Sequence, residues 1–255
     1  MRTAFHFAVA ALMLTAVAAC ETVPVTGRSQ LNMVDAGTES QLGEQAWAEI
    51  KAKSKISKDP QANAMVQRVA QRVAAASGLK ENWEFLVIED KQVNAFALPG
   101  GKIAVYTGIL PVTQDDNGLA TVLSHEVGHV MAHHAAERIS QSELIQAGTN
   151  VAAIVLGGAT GVDANSMAGL LGAGAAVGLQ LPFSRRQELE ADRIGLTLMA
   201  KSGYDPRTAL AFWQRMAQAT KGAPPEFLSD HPTDERRIAQ IQQFLPEALA
   251  QYHPK

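Results

Sequence analysis

His125, Glu126, Val127, Gly128 and His129 place two imidazoles four residues apart with a carboxylate beside the first. On a helix, residues four apart lie about 40° and about 6 Å from one another, so both rings reach one tetrahedral metal ion from the same face. Glu126 then stands next to a water on that metal. It is placed to take the water's proton as the water attacks a peptide carbonyl, and to pass it to the leaving amine. The five-residue pattern also arises by chance, on buried helices with incidental histidines, so a third ligand decides its meaning.

His133 and His134 continue the predicted helix, but His133 sits a further turn of about 6 Å along the axis from His129. A longer histidine motif carrying its own third ligand would need Gly at 132 and His at 135, where this chain has Ala132 and Ala135. The third ligand therefore comes from elsewhere. Arg185, Arg186, Gln187, Glu188, Leu189, Glu190, Ala191 and Asp192 offer it on a later helix. Glu188 and Asp192, four apart, share a face, whereas Glu190 points about 200° from Glu188. This assigns Glu188 as the third metal ligand. Asp192 accepts the outer N–H of a ligating histidine and so fixes its tautomer. A solvated charge face shared with Arg185 and Arg186 is the alternative for the pair.

Other elements must position these groups. Apolar residues recur at helical spacing over 38–53 and 59–77; Asp59 and Pro60 open the second run and Gly78 closes it. Residues 83–88 have strand character. Residues 94–98 and 103–106 flank Pro99, Gly100 and Gly101, which predicts a hairpin and a small antiparallel sheet. A helix is expected over 115–141, capped by Asp115, Asp116 or Asn117, and further helices over 185–202, 206–220 and 233–244. Segment 144–184 is rich in Gly and Ala, with Asp163 as its one charge. A membrane hairpin is one reading of it. Glycine-heavy halves interrupted by Gln146, Asn150, Asn165 and Gln180 favour two closely packed helices instead.

The 255 residues are 47% hydrophobic and 18% charged with a net charge of −3, which describes a globular chain without the basic field that grips phosphate backbones. Nucleic acid is not an expected partner. The one cysteine, Cys20, excludes intrachain disulfides and multi-cysteine metal clusters, leaving histidine and carboxylate as metal ligands. Arg2, an apolar run over 8–14 and small residues before Cys20 have the layout of a secretory signal too short for a comfortable span. Small residues before a cysteine resemble the bacterial lipobox, which implies cleavage there and acylation of Cys20. The expected organisation is a signal peptide over 1–19, a lipidated tether over 20–36 and a single metallopeptidase domain over 37–255. Glu21 after the cysteine places it on the outer membrane of a bacterial cell envelope, facing the periplasm.

The His-Glu-x-x-His motif, Glu188 and Asp192 with Ser184 and Arg185 before them, and the 93–101 segment together resemble the gluzincin family that includes the CAAX prenyl protease and the heat-shock protease HtpX. The similarity runs from about Val23 to His231 and is nearest to the periplasmic lipoprotein branch. It implies a mainly helical α+β zincin-type domain, with a small antiparallel sheet or hairpin beside the motif helix. It also implies one zinc ion and endopeptidase action on misfolded or membrane-associated envelope proteins. No tetratricopeptide repeats and no confident transmembrane helices accompany the motifs, unlike well-known members. From chemistry and resemblance together, Asn94, Ala95, Phe96 and Ala97 are candidates to bind polypeptide substrate by strand addition. His231 is a candidate removable fourth ligand or oxyanion donor. Arg236 or Arg237 could serve the oxyanion, though a charged helical face explains them better. The rival functions are a non-proteolytic chaperone or assembly factor that keeps the zinc fold, against which an intact Glu126 weighs, and an integral-membrane protease.

Overall fold

The computed structural model describes residues 20–157, 183–219, 231 and 235–254. In chain order the elements are β1 (Cys20–Thr22), β2 (Ser29–Leu31), α1 (Ala36–Lys53), α2 (Pro60–Ser77), β3 (Glu84–Ile88), β4 (Ala95–Leu98) and β5 (Lys102–Tyr106). A 3-10 turn (Thr107–Ile109) follows, then α3 (Leu110–Thr113), α4 (Asp116–Met131), α5 (His134–Gly157), α6 (Arg185–Ser202), α7 (Thr208–Ala219) and α8 (Glu235–Leu249). The fold is mainly helical with small sheets, as the motifs imply. No described helix is long and apolar enough to cross a membrane. Residues 158–182, which hold most of the segment weighed as a membrane hairpin, and the leader over 1–19 lie outside the described residues.

Two compact units divide the chain: residues up to 36 with 135–181, and 37–134 with 182 to the end. In the first, β1 and β2 pair antiparallel, with Cys20 opposite Leu31. Arg28 donates two hydrogen bonds, of 2.7 and 2.9 Å, to the two carboxylate oxygens of Glu137. The Met33 N–H donates to Ser140 Oγ at 2.8 Å. The segment expected as a tether thus folds as a hairpin bonded to α5.

In the second unit the helix ends follow local chemistry. The Asp59 carboxylate accepts the Gln61 and Ala62 N–H groups to start α2, and Gly78 ends it at φ 73°. Asp115 accepts from Gly118 to start α4. A reciprocal Ser184–Gln187 capping box starts α6. Two expectations fail. The helix predicted over 115–141 breaks after Met131, because His133 takes a left-handed φ of 50° and the chain restarts as α5. The last helix runs through Pro246 to Leu249, beyond its predicted end.

The sheet also departs from expectation. β4 and β5 form the predicted hairpin, with Ala97 opposite Ile103, but β3 joins on the other side of β5 in parallel, giving the order β3-β5-β4. Pattern and turn signals do not carry this order. β5 is buried throughout from Lys102 to Val105, as a central strand is, and β4 lies at an edge.

Under the sheet, Trp47 packs against Ile88 and Ala104 and donates its indole N–H to Glu84 Oε2 at 2.9 Å. Buried Lys102 pairs with Glu44 Oε1 at 2.8 Å and Glu84 Oε1 at 3.0 Å. The Trp47 hydrogen bond, then Lys102, hold the Glu84 carboxyl down to about 2. A carboxyl depressed on folding contributes stability above its unfolded value of about 4.3, and loses it as pH falls toward the folded value. Glu84→Gln is therefore expected to be less stable than wild type at neutral pH, with the gap closing between about pH 4.3 and about pH 2. Urea titrations across that range check it. A gap that stays constant would show that Glu84 does not hold the network through its charge.

Candidate metal centre

Helices α4 and α6 approach closely because each carries a glycine at the contact. A Cβ on Gly128 would meet the Ala191 carbonyl oxygen at 2.8 Å, and one on Gly195 the His125 amide nitrogen at 3.1 Å. This brings the His125–His129 face of α4 against the Glu188–Asp192 face of α6. All four side chains are buried.

His125 Nε2 lies 3.1 Å from His129 Nε2 and 3.4 Å from Glu188 Oε2. His129 Nε2 lies 3.3 Å from Glu188 Oε1. His231 completes the group, its Nδ1 at 3.2 Å from His125 Nε2 and 2.9 Å from Glu188 Oε1. One donor atom from each of these four residues lies within 4.8 Å of all the others. Ligands about 2.0–2.1 Å from a tetrahedral zinc stand about 3.3–3.4 Å apart, so the spacing fits that ion.

Proton placement supports the same fit. His125 Nδ1 is 2.9 Å from Asp192 Oδ1, and an ionised carboxylate only accepts, so the ring proton is on Nδ1 and the Nε2 lone pair faces inward. His129 Nδ1 is 2.8 Å from His134 Nδ1, whose Nε2 is 3.1 Å from Glu190 Oε2. Two inward lone pairs 3.1 Å apart in a dry pocket repel unless a cation lies between them. Burial holds the His129 ring well below the ordinary histidine value, in the neutral form that ligates. Burial also works against a charged His125, but Glu188 and Asp192 outweigh it and raise that ring, a measure of how negative the pocket is.

Arg237 balances those carboxylates. Its Nε and Nη2 donate to Asp192 Oδ2 at 2.6 Å and Oδ1 at 2.9 Å, and Nη1 lies 2.7 Å from Glu188 Oε2. The guanidinium stacks 3.9 Å from the Trp213 ring centre, and the residue is only 2% exposed. Burial opposes the charge on Glu188, yet His231 and Arg237 hold it ionised, well below the usual carboxylate range. Sequence reasoning placed Arg237 on a charged outer face. The structure corrects this, and the only sequence signal was its distance of six residues from His231. The side chain of Arg236 lies outside the described residues.

Glu126 stands at the mouth of the donor group. Its Oε2 accepts the Ala97 N–H at 3.0 Å, while its buried Oε1 has no hydrogen-bond partner and lies 3.6 Å from His231 Nε2. Burial first, then the charge of Glu188, raise its carboxyl to about 7, against the pull of His231 and Ala97. The hairpin thus reaches the site through β4. Asn94 gives its carbonyl to the Tyr106 N–H of β5, so the backbone groups of alternate residues Ala95 and Ala97 point away from β5; Ala95 is fully buried and Ala97 half-buried. The Phe96 side chain points away, packing edge-on to Tyr106 in the Trp47 cluster. Phe183, which no motif flagged, stacks on the His129 ring with centres 3.8 Å apart.

A family model described as peptidase family M48 matches residues 60–245. The mitochondrial metalloendopeptidase OMA1 of Schizosaccharomyces pombe is 38% identical over 236 residues, covering 89% of this chain and 67% of that protein. OMA1 of Arabidopsis thaliana is 40% identical over 183 residues, 70% of this chain and 36% of its own length. The β-barrel assembly-enhancing protease of Escherichia coli is 28% identical over 227 residues, 86% of this chain and 46% of its own. The chain therefore spans less than half the length of the last two. These relatives also correct the expected location on a bacterial outer membrane: the fission-yeast and Arabidopsis proteins are mitochondrial by name. A basic residue, an apolar run and small residues report membrane targeting without saying which membrane, so the leader could not carry that inference.

Proposed function

The chain belongs to peptidase family M48 and is a zinc metalloendopeptidase, and from that premise we propose how it works and on what. It cuts internal peptide bonds in extended stretches of misfolded or membrane-associated polypeptides laid along the open edge of β4. The observation that carries this reading is the position of Glu126, one oxygen bonded to the edge strand and the other, unpartnered, turned toward the donor cluster. His125, His129 and Glu188 would hold the zinc, with His231 as a displaceable fourth donor. Zinc in such a site supplies Lewis acidity, polarising the carbonyl under attack and making water acidic enough to react near neutral pH.

The chain's own groups do the rest. The C=O of half-buried Ala97 binds substrate backbone, which recognises many sequences alike. Glu126 Oε1 takes the proton of the attacking water and delivers it to the departing amine, and a carboxyl near 7 suits both tasks. Asp192, held by Arg237, keeps the His125 proton on Nδ1. His231, whose Nδ1 takes the fourth donor position and whose Nε2 lies near Glu126 Oε1, is displaced to open the site to substrate. The reading keeps Cys20 as a lipid attachment point, supported by the small residues before it, and 37–255 as the catalytic domain.

The test is cleavage of casein by the chain carrying one equivalent of zinc. Cleavage is expected to stop on chelation and return with one equivalent of zinc, and His231→Ala to cut faster than wild type. If both proteins bind zinc and neither cuts, the non-proteolytic scaffold replaces this reading.

A further inference from the structure

Glu188 faces His129 only from inside the donor cluster, and the outer side of the ring meets no carboxylate directly. The ring nitrogen that faces away from the donor cluster, Nδ1, meets a second imidazole, His134 Nδ1, at 2.8 Å; His134 Nε2 then meets Glu190 Oε2 at 3.1 Å. His134 is fully buried and Glu190 only 6% exposed, so bulk water does not decide where their protons sit. We propose that His134 and Glu190 are a positioning pair that sets the ligating tautomer of His129 across two rings, the counterpart of Asp192 acting on His125. The proposal rests on the metal site assigned above.

Proton counting carries it. An ionised Glu190 accepts only, so His134 places its proton on Nε2 and offers a bare Nδ1. A bare His134 Nδ1 in turn requires a proton on His129 Nδ1, which leaves the His129 Nε2 lone pair free for the metal. Without the carboxylate, His134 can put its proton on Nδ1 instead. That N–H then points at His129 Nδ1 and drives the His129 proton to Nε2, the tautomer that cannot ligate. The left-handed residue His133 makes this possible: at φ 50° it ends α4 and turns His134 back under His129 five positions away, a spacing no continuous helix would bring together.

The test compares zinc affinity of the full chain, by competition with a chromogenic chelator, and the visible spectrum of the cobalt(II)-substituted protein. His134→Phe fills the volume without an acceptor, and Glu190→Leu removes the far end. Each is expected to weaken zinc binding by about 10–100-fold and to alter the cobalt spectrum. His134→Asn places an amide oxygen where Nδ1 stood and is expected to restore affinity to within a few-fold of wild type. Equal zinc affinity and an unchanged cobalt spectrum in Glu190→Leu overturn the proposal, as does a folded His134→Asn that binds no better than His134→Phe. Should His134→Phe fail to fold, Glu190→Leu and His134→Asn decide alone. A wild-type chain that binds no zinc would overturn the metal site itself, and so be told apart from failure of the relay.

Discussion

Glu126→Gln is expected to lower kcat/KM for peptide cleavage by about 10²–10⁴-fold while the chain still binds one zinc, the range removed with a general base. Glutamine matches glutamate in volume, and its amide oxygen can still accept the Ala97 N–H that the Oε2 atom holds at 3.0 Å. The pocket should therefore keep its shape. What disappears is the carboxylate oxygen Oε1, a buried proton acceptor without a hydrogen-bond partner. The base acts on the reacting water and not on the bound chain, so kcat should fall as far as kcat/KM, with KM nearly constant. Steady-state kinetics on a fluorogenic peptide, with zinc content measured on the same samples, make the comparison. A variant that retains more than about a tenth of wild-type kcat would remove Glu126 from the chemistry.

Arg237→Met is expected to cost about 3–5 kcal/mol of unfolding free energy, the loss seen when one partner of a buried ion pair is deleted. Methionine keeps much of the aliphatic contact with Trp213 but leaves Asp192 and Glu188 without the cation that touches both, at 2.6 Å and 2.7 Å. Zinc compensates part of Glu188, so the loss should be larger in metal-free protein than in zinc-loaded protein. Lysine is a poor substitute, because a single ammonium cannot reproduce the two parallel bonds to Asp192. Urea unfolding of both forms provides the numbers. A loss below about 1 kcal/mol in either form would mean that Arg237 is not what stabilises the carboxylates.

Four-residue spacing made much of the site legible before any coordinates. It put His125 with His129 and Glu188 with Asp192 on shared faces, and the structure brings those faces together. Capping chemistry likewise located the starts of α2 and α4, because Asp59 and Asp115 act on neighbours two or three residues away. What stayed hidden depends on partners far along the chain. The burial of Arg237 follows from Asp192, 45 residues earlier, and no local pattern separates it from an ordinary charged face. His134 became important through one backbone angle, at a residue that is neither Gly nor Pro. The central place of β5 had no local signal either, since β3 and β4 carry apolar runs as unbroken as its own.

The glycines at positions 128 and 195 have a further consequence, for the choice of metal. With α4 and α6 so close that added methyl groups would strike the opposite backbone, the histidine pair and Glu188 have little room to splay or flatten. Copper(II) binds nitrogen and oxygen donors more tightly than zinc in general, but it prefers a tetragonal plane. A donor set braced by helix backbone at tetrahedral spacing withholds that plane, so competition between metals is settled by sterics instead of intrinsic affinity. The same bracing accepts cobalt(II), which tolerates four tetrahedral ligands, and cobalt is expected to support cleavage where copper does not.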